Sequence, residues 1–368
     1  EKGYIFATAT IPEQSLAMGV LQVEFDEGQI DEVRITGSDN KALHRLLKSL
    51  EGQKAVRSKI ERKLVLANDI PKVWVRNTSY ISEGDRNILV VKIGERKNKI
   101  KAGLDNFGSE GHGPVRARLS FDFRGLLDSA DQAGVSFRTN PEDPAEFVYA
   151  SANYSTAIGN DGTRVGVSVS GGVTEPENSN FTDLKGESLY VSVDASHPLV
   201  RTSDASLWIN TELSYLSIKQ SDLDILLTED TEVTLSVGLA SNIKLLGGRL
   251  RSGASLIQGF DVLGSTRLGN PVASRFNGDG VFTKGRFYAN WTGKLGGDWG
   301  LYLGAWGQLT NKPLLSAQEM SIGGAYSARG YDFSELSGEN GFAGMIELNR
   351  TFANPTSWID ELQPYVFL

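Results

Sequence analysis

A small α+β domain followed by an antiparallel transmembrane β-barrel is the fold class this sequence predicts. Three observations predict it. Residues 30–95 read strand, helix, helix, strand, strand. From about residue 98 onward the helical periodicity gives way to long runs of period-two alternation. The 41 glycines exceed the usual share of about 7%, and many sit inside those strand-like runs. At 368 residues the chain has room for one small and one large domain.

Composition removes several function classes. No stretch reaches the ~18 uncharged apolar residues of a spanning helix, whereas barrel strands carry only short alternating patterns. With no Cys there are no disulfides and no thiolate chemistry. The three histidines, His44, His112 and His197, are isolated and supply no common zinc set. His44 is expected on a helix flank and the other two in turns. A net charge of −8 argues against a nucleic-acid binder, which needs clustered Lys and Arg. The basic run GERKNKIK at 94–101 reads as the end of one domain and the start of the next. The chain starts at Glu1 without a signal peptide, as a trimmed or mature product would.

The elements follow in order. YIFATATI and VLQVEFDEG, within 1–28, are a short strand pair with nothing before them to pack against, the tail of a preceding domain. IDEVRITG is a strand. In the next segment Leu43, Leu46, Leu47 and Leu50 fall at helical spacing after Asp39 or Asn40 as the cap. Ser58 and Glu61 fit a capping box for a second helix carrying Ile60, Leu64 and Ala67 on one face and stopping before Pro71. VWVRNTSYI and NILVVKI form a hairpin across SEGDR, giving one helical layer on one small sheet.

Beyond residue 98 the expected strands are 98–107, 114–123, 131–139, 146–155, 163–171, 187–195, 205–215, 231–240, 248–259, 280–293, 298–309, 341–350 and 360–368. In RFYANWTGKL, Phe287, Ala289 and Trp291 share one face while Tyr288, Asn290 and Thr292 share the other. So many consecutive hairpins with small or polar residues at inward positions suit a barrel in lipid, where every backbone group must be paired and no edge left open. Trp299, Trp306, Tyr288, Trp208 and Tyr215 are candidates for aromatic girdles. About thirteen strands is an odd number that leaves an edge, so either the count misses a strand or the chain stops before the barrel closes.

These residues resemble the TpsB transporters of two-partner secretion, the haemolysin/haemagglutinin secretion-activation type within the Omp85 superfamily. GYIFATATIPEQSLAMGVLQVEFDEGQIDEVRITG is similar to the end of a first POTRA domain and the start of a second. LVLANDIPKVWVRNTSYISEGDRNILVVKI follows the second POTRA, with its Asp-hydrophobic-Pro element. KAGLDNFGSEGHGPVRARLSF resembles the first barrel hairpin, whose motif here is Asp105, Asn106, Phe107 and Gly108. SIGGAYSARGYDFSELSGENGF, residues 321–342, resembles the family's long loop: Gly323 and Gly324, then Arg329, Gly330 and Tyr331 at the tip, then Leu336, Ser337 and Gly338 leading to the next strand. Ala328 stands where the family usually has Val.

The resemblance implies a division into 1–28, the remnant of a first POTRA domain; 29–95, a second POTRA domain; and 96–368, a barrel of which about 13 of 16 strands are present. It implies that the loop after the eleventh strand folds into the lumen, where Arg329 meets an acidic residue in bidentate fashion, since an unpaired guanidinium in a narrow lumen is costly. In the family that acid follows an aromatic in the thirteenth strand, and Phe367 and Leu368 are the last residues here. Glycines 323, 324 and 330 are expected to allow close backbone approach. Tyr331 is expected to add ring packing and a hydroxyl hydrogen bond.

The implied function is transport of an unfolded TpsA-type exoprotein, caught in the periplasm through its N-terminal secretion domain and passed through the barrel to the cell surface. POTRA sheet edges would accept it by strand addition. Outer-membrane lipid is the other partner; no nucleic acid, nucleotide, cofactor or metal is expected, and no catalytic residues. The alternatives are an Omp85-type insertase, which carries more POTRA domains, and a diffusion porin, which carries none. A hydrolase reading has only Ser196, His197 and scattered Asp to draw on, with no nucleophile elbow.

Overall fold

The computed structural model describes residues 3–15, 19–106, 108, 113–176, 183–324, 327–332, 334–356 and 358–368. Two short strands, Thr8–Thr10 (β1) and Glu24–Asp26 (β2), pair antiparallel. They do not stand apart: the Ile5 N–H donates to Ala55 O at 2.9 Å, and Ile5 and Phe6 pack on the core of the domain that follows.

That domain runs Glu32–Thr36 (β3), Lys41–Lys48 (α1), Arg57–Asp69 (α2), Val73–Glu83 (β4) and Arg86–Glu95 (β5). Its sheet has the order β3-β5-β4, with β3 parallel to β5 and β4 antiparallel to it. Leu43, Leu46 and Leu47 of α1 and Ile60, Leu66 and Ala67 of α2 are buried against Val33, Leu89, Val91 and Ile93. Each fully buried Leu or Ile contributes about 1.5–3 kcal/mol, which holds so short a sheet to its helices.

Asn40 is the cap of α1, its Oδ1 accepting from the Leu43 N–H at 3.0 Å. The capping box expected at Ser58 and Glu61 does not form. The α2 helix starts at Arg57, its N-cap Val56 lying two residues ahead of Ser58 and making no side-chain cap, and Glu61 is turned outward to another partner. The helix ends at Asp69, ahead of Pro71.

The remaining strands form one antiparallel sheet of thirteen: Lys99–Asp105 (β6), Arg116–Arg124 (β7), Gln132–Thr139 (β8), Phe147–Ile158 (β9), Thr163–Thr174 (β10), Leu184–Arg201 (β11), Ala205–Asp222 (β12), Ile225–Leu245 (β13), Gly248–Phe260 (β14), Thr283–Gly296 (β15) and Trp299–Thr310 (β16), then two more after a long loop. That loop carries its own hairpin, Met320–Ile322 (β17) with Leu336–Gly338 (β18). Gly341–Arg350 (β19) is the twelfth strand. A side hairpin of Phe352–Thr356 (β20) and Ile359–Leu362 (β21) precedes the thirteenth, Tyr365–Phe367 (β22). β6 and β22 are the two edges of the sheet.

Thirteen strands agree with the count read from alternation. The strands β11 to β13 are longer than expected: residues 216–230 continue the β12–β13 ladder through a two-residue turn in which Leu223 and Asp224 take positive φ, and residues 196–201 carry β11 on against the start of β12. His197 lies within β11 rather than in a turn, with its Nδ1 2.8 Å from Thr163 Oγ1. His112 lies outside the described residues.

Alternation sorts the wall. Asp194, Ser236, Tyr288, Asn290, Tyr302 and Gln308 line a cavity of about 970 Å³. Across the inner wall Ser136 meets Ser151 at 2.7 Å and Ser214 meets Thr234 at 2.8 Å, so the inward hydroxyls satisfy one another. Val193, Leu213, Leu256, Leu309 and Ile346 alternate with these and stay exposed on the outside. An outer belt of this kind is stable only against lipid. Trp306 and Tyr288, expected in an outer girdle, line the cavity instead, and Trp208 shares the inward face of Asn210 and Glu212. Aromatic identity does not reveal sidedness; register does.

Candidate functional site

The site is the long loop between β16 and β19, residues 311–340, together with the wall it meets. Gly323 and Gly324 have φ of +127° and +96°, and a Cβ on Gly323 would lie 2.1 Å from Asp332 O. Glycine at 323 is therefore required by close approach, and at 324 favoured by conformation. The tip is closed locally: Tyr331 N–H donates to Ala328 O at 3.0 Å and Gly324 N–H to Tyr331 O at 3.1 Å. Ala328 has φ +51°, a region that strains a β-branched side chain.

Gly330 departs from the expectation. It has no positive φ, and among the described residues nothing lies within 4 Å of a Cβ there.

The tip presents Arg329 to the inner wall. Its Nη1 is 2.9 Å from Glu347 Oε2, with the two side chains 25% and 18% exposed. Glu347 sits opposite Tyr302 in the register, which places it on the inward face of β19. The contact uses one nitrogen, where a bidentate pair was expected. The rest of the guanidinium stacks 5.3 Å from the ring centre of Tyr365 and 4.9 Å from that of Phe367, both on β22. The acid comes from the twelfth strand and the aromatics from the thirteenth. Sequence reasoning missed Glu347, although a lone carboxylate at an inward position of GFAGMIELNR was the available signal.

Tyr331 does not supply the ring contact, being 66% exposed. Leu336, Ser337 and Gly338 pair with Ile322, Ser321 and Met320, so this segment closes the loop's own hairpin before the next strand begins. In the first hairpin, Asp105 ends β6 opposite Arg116, and Asn106 follows it, exposed. Gly108 N–H donates to Pro114 O at 3.0 Å, and a Cβ on Gly108 would lie 2.0 Å from Gly113 O. Phe107 lies outside the described residues.

At the opposite end of the barrel the small domain docks on three turns. Asp69 of α2 forms two contacts with Arg201, at 2.8 and 2.6 Å. Glu61 accepts from the Ser203 N–H at 2.9 Å and its hydroxyl at 2.6 Å, and these bonds hold its carboxyl below the ordinary Glu range. Lys63 donates to Asn160 O at 3.0 Å, and Asn40, besides capping α1, donates to Ser129 O at 2.7 Å. Gly162, with φ +87°, allows Leu66 to approach: a Cβ there would lie 2.5 Å from Leu66 Cδ2.

A lipid-facing antiparallel wall, a loop folded into the lumen behind it and an α+β domain on its inner-end turns define an outer-membrane β-barrel protein of the Omp85 class. Residues 84–368 match the family described as haemolysin secretion/activation protein ShlB/FhaC/HecB. The chain belongs to that family, the TpsB branch of the superfamily. It is 26% identical over 372 residues to the hemolysin transporter protein ShlB of Serratia marcescens, covering 96% of this chain and 64% of the relative. It is 21% identical over 350 residues to the heme/hemopexin transporter protein HuxB of Haemophilus influenzae, covering 92% and 61%. The solved structure of CdiB from Escherichia coli superposes with a TM-score of 0.81 at 25% identity, covering 96% of this chain and 68% of that one. The chain spans about three fifths of the length of the curated relatives it matches, from 61% upward.

Proposed function

We propose that this chain is the channel-bearing part of an outer-membrane transporter that takes an unfolded exoprotein from the periplasm and delivers it to the cell surface by two-partner secretion. In this reading residues 29–95 are the second POTRA domain, 1–28 the remnant of a first, and 96–368 the barrel. The observation that carries the proposal is the Arg329–Glu347 contact inside the lumen. A channel that stayed open would not need a loop tied to its wall. The ion pair and two ring contacts seen among the described residues are strong enough to keep the loop in and weak enough to be exchanged for contacts with a passing chain.

The α+β domain supports the same reading. Its β3 and β4 are both sheet edges, and an extended polypeptide can add to either through main-chain hydrogen bonds that ask little of its sequence. The partner is an exoprotein carrying an N-terminal secretion region of the TpsA type. The free energy for its passage comes from its own folding outside.

The test is to delete the full-length parent gene and follow the exoprotein. Retention of that protein in the periplasm, with normal assembly of other outer-membrane barrels, is the expected result. Normal secretion after deletion, or a general loss of barrels, would overturn the proposal, the second outcome pointing to an insertase.

A further inference from the structure

The extracellular end of the barrel carries a packed unit made by two loops. Residues 261–282 connect β14 to β15, and residues 311–319 are the first limb of the long loop. Leu314 and Leu315 are fully buried there, Leu314 beside Phe282 and Ile257 and Leu315 against Gly278. Gln308 on β16 donates from Nε2 to Gln318 O at 2.8 Å and to Glu339 O at 3.0 Å. One wall side chain therefore holds both limbs of the long loop where they leave the wall. Gln318 is tied twice more, its carbonyl accepting from Lys284 Nζ at 2.8 Å and its side chain donating to Glu232 Oε2 at 2.5 Å.

Arg275, in the other loop, does the same from the opposite side. Its Nη1 reaches Glu319 on the first limb at 3.0 Å and Glu339 on the second at 2.7 Å, and it donates to Leu314 O at 2.7 Å. Between this base and the tip lies the three-pair β17–β18 ladder, and beyond the ladder come Gly323 and Gly324.

We propose that the loop at 261–282 is a working part of the gate: Arg275 and Gln308 clamp the base of the long loop, which moves by swinging its tip about the two glycines rather than by leaving the lumen whole. This deepens the proposed transport function and rests on it. The two ends of the loop are unequally held. Among the described residues the tip has one ion pair and two ring contacts to the wall, while the base has two ion pairs, five hydrogen bonds and two buried leucines. Local opening begins where the fewest buried contacts must break, and that is the tip.

These 368 residues contain no Cys, so L315C in the full-length parent, with any cysteine outside them replaced by Ser, reports exposure of the base. Intact cells would be treated with a membrane-impermeant maleimide and the labelling rate followed. In the R329A background the rate should stay at the L315C level, because the tip is released while the clamp holds. R275A should raise it about tenfold or more, the scale of losing a partly desolvated ion pair. E339Q, which leaves Arg275 tied to one limb only, should raise it in the same direction and serves as the measurement if R275A does not accumulate. Equal rates in R275A (or E339Q) and the L315C parent would overturn the clamp, and so would an R329A rate as high as theirs. Labelling needs no exoprotein, so a failure of the transport reading leaves this result unaffected.

Discussion

Arg329 lies between Glu347 and the ring of Phe367, and these two residues face each other directly in the β19–β22 register. The guanidinium therefore reads two adjacent strands at once, by charge on one and by stacking on the other. Both modes suit a planar cation better than an ammonium.

Replacing Arg329 by Ala leaves Glu347 without its ion pair in a partly water-filled lumen. The loss is expected near the lower end of the 3–5 kcal/mol range for broken buried pairs. That is enough to release the tip and too little to unfold thirteen strands. R329A should reach the membrane in near-normal amount while secreting the exoprotein poorly, and E347Q should behave alike. R329K should recover part of the secretion through charge alone. The assay compares secreted exoprotein with barrel abundance, using K294A as control. Secretion by R329A equal to that of the unaltered protein would reduce Arg329 to a surface charge.

The docking of the small domain should depend on pH. The Ser203 hydroxyl and N–H stabilise ionised Glu61, so its folded-state pKa is depressed. A depressed carboxyl contributes fully above the ordinary Glu value of about 4.5, and the contribution is lost as pH falls through and below it. Limited proteolysis near residue 96 should therefore accelerate below about pH 4.5, and E61Q should flatten that dependence. An E61Q profile identical to the parent's would exclude Glu61 as its source.

Close approach makes a second prediction about the same surface. G162V would place a branched side chain where Leu66 and Pro198 already sit, at a φ that only glycine adopts freely. The helix α2 should lift from the turns, and cleavage between domain and barrel should rise at neutral pH. Unchanged cleavage would mean that this contact does not hold the domain.

Asp131, in the turn between β7 and β8, tests whether that turn is part of the folded frame. Burial pushes its carboxyl up, but the N–H groups of Leu127, Asp128 and Leu126 and the Tyr154 hydroxyl outweigh this and leave it below the ordinary Asp range. D131N would turn an amide against backbone donors and should cost about 1–3 kcal/mol. The urea midpoint for loss of the folded barrel's electrophoretic mobility should fall accordingly, and an unshifted midpoint would count against the prediction.

The sequence by itself determined the two-part architecture. Leucines at helical spacing after Asn40 admit only a helix packed on a sheet, and valines alternating with serines in β10 admit only a wall with two unlike faces, because side-chain period follows backbone geometry. It also marked the long loop, since a run that rich in glycine between two strands needs an explanation. Tertiary structure alone decided what that loop touches. Glu347 and Phe367 lie 18 and 38 positions from Arg329, and only the strand register brings them opposite each other. The same holds for Glu61, whose spacing from Ser58 matches a local cap but whose partner is Ser203, 142 residues away. A capping motif describes what a side chain can reach along its own helix, whereas the docked barrel offered Glu61 two donors that the isolated helix did not have.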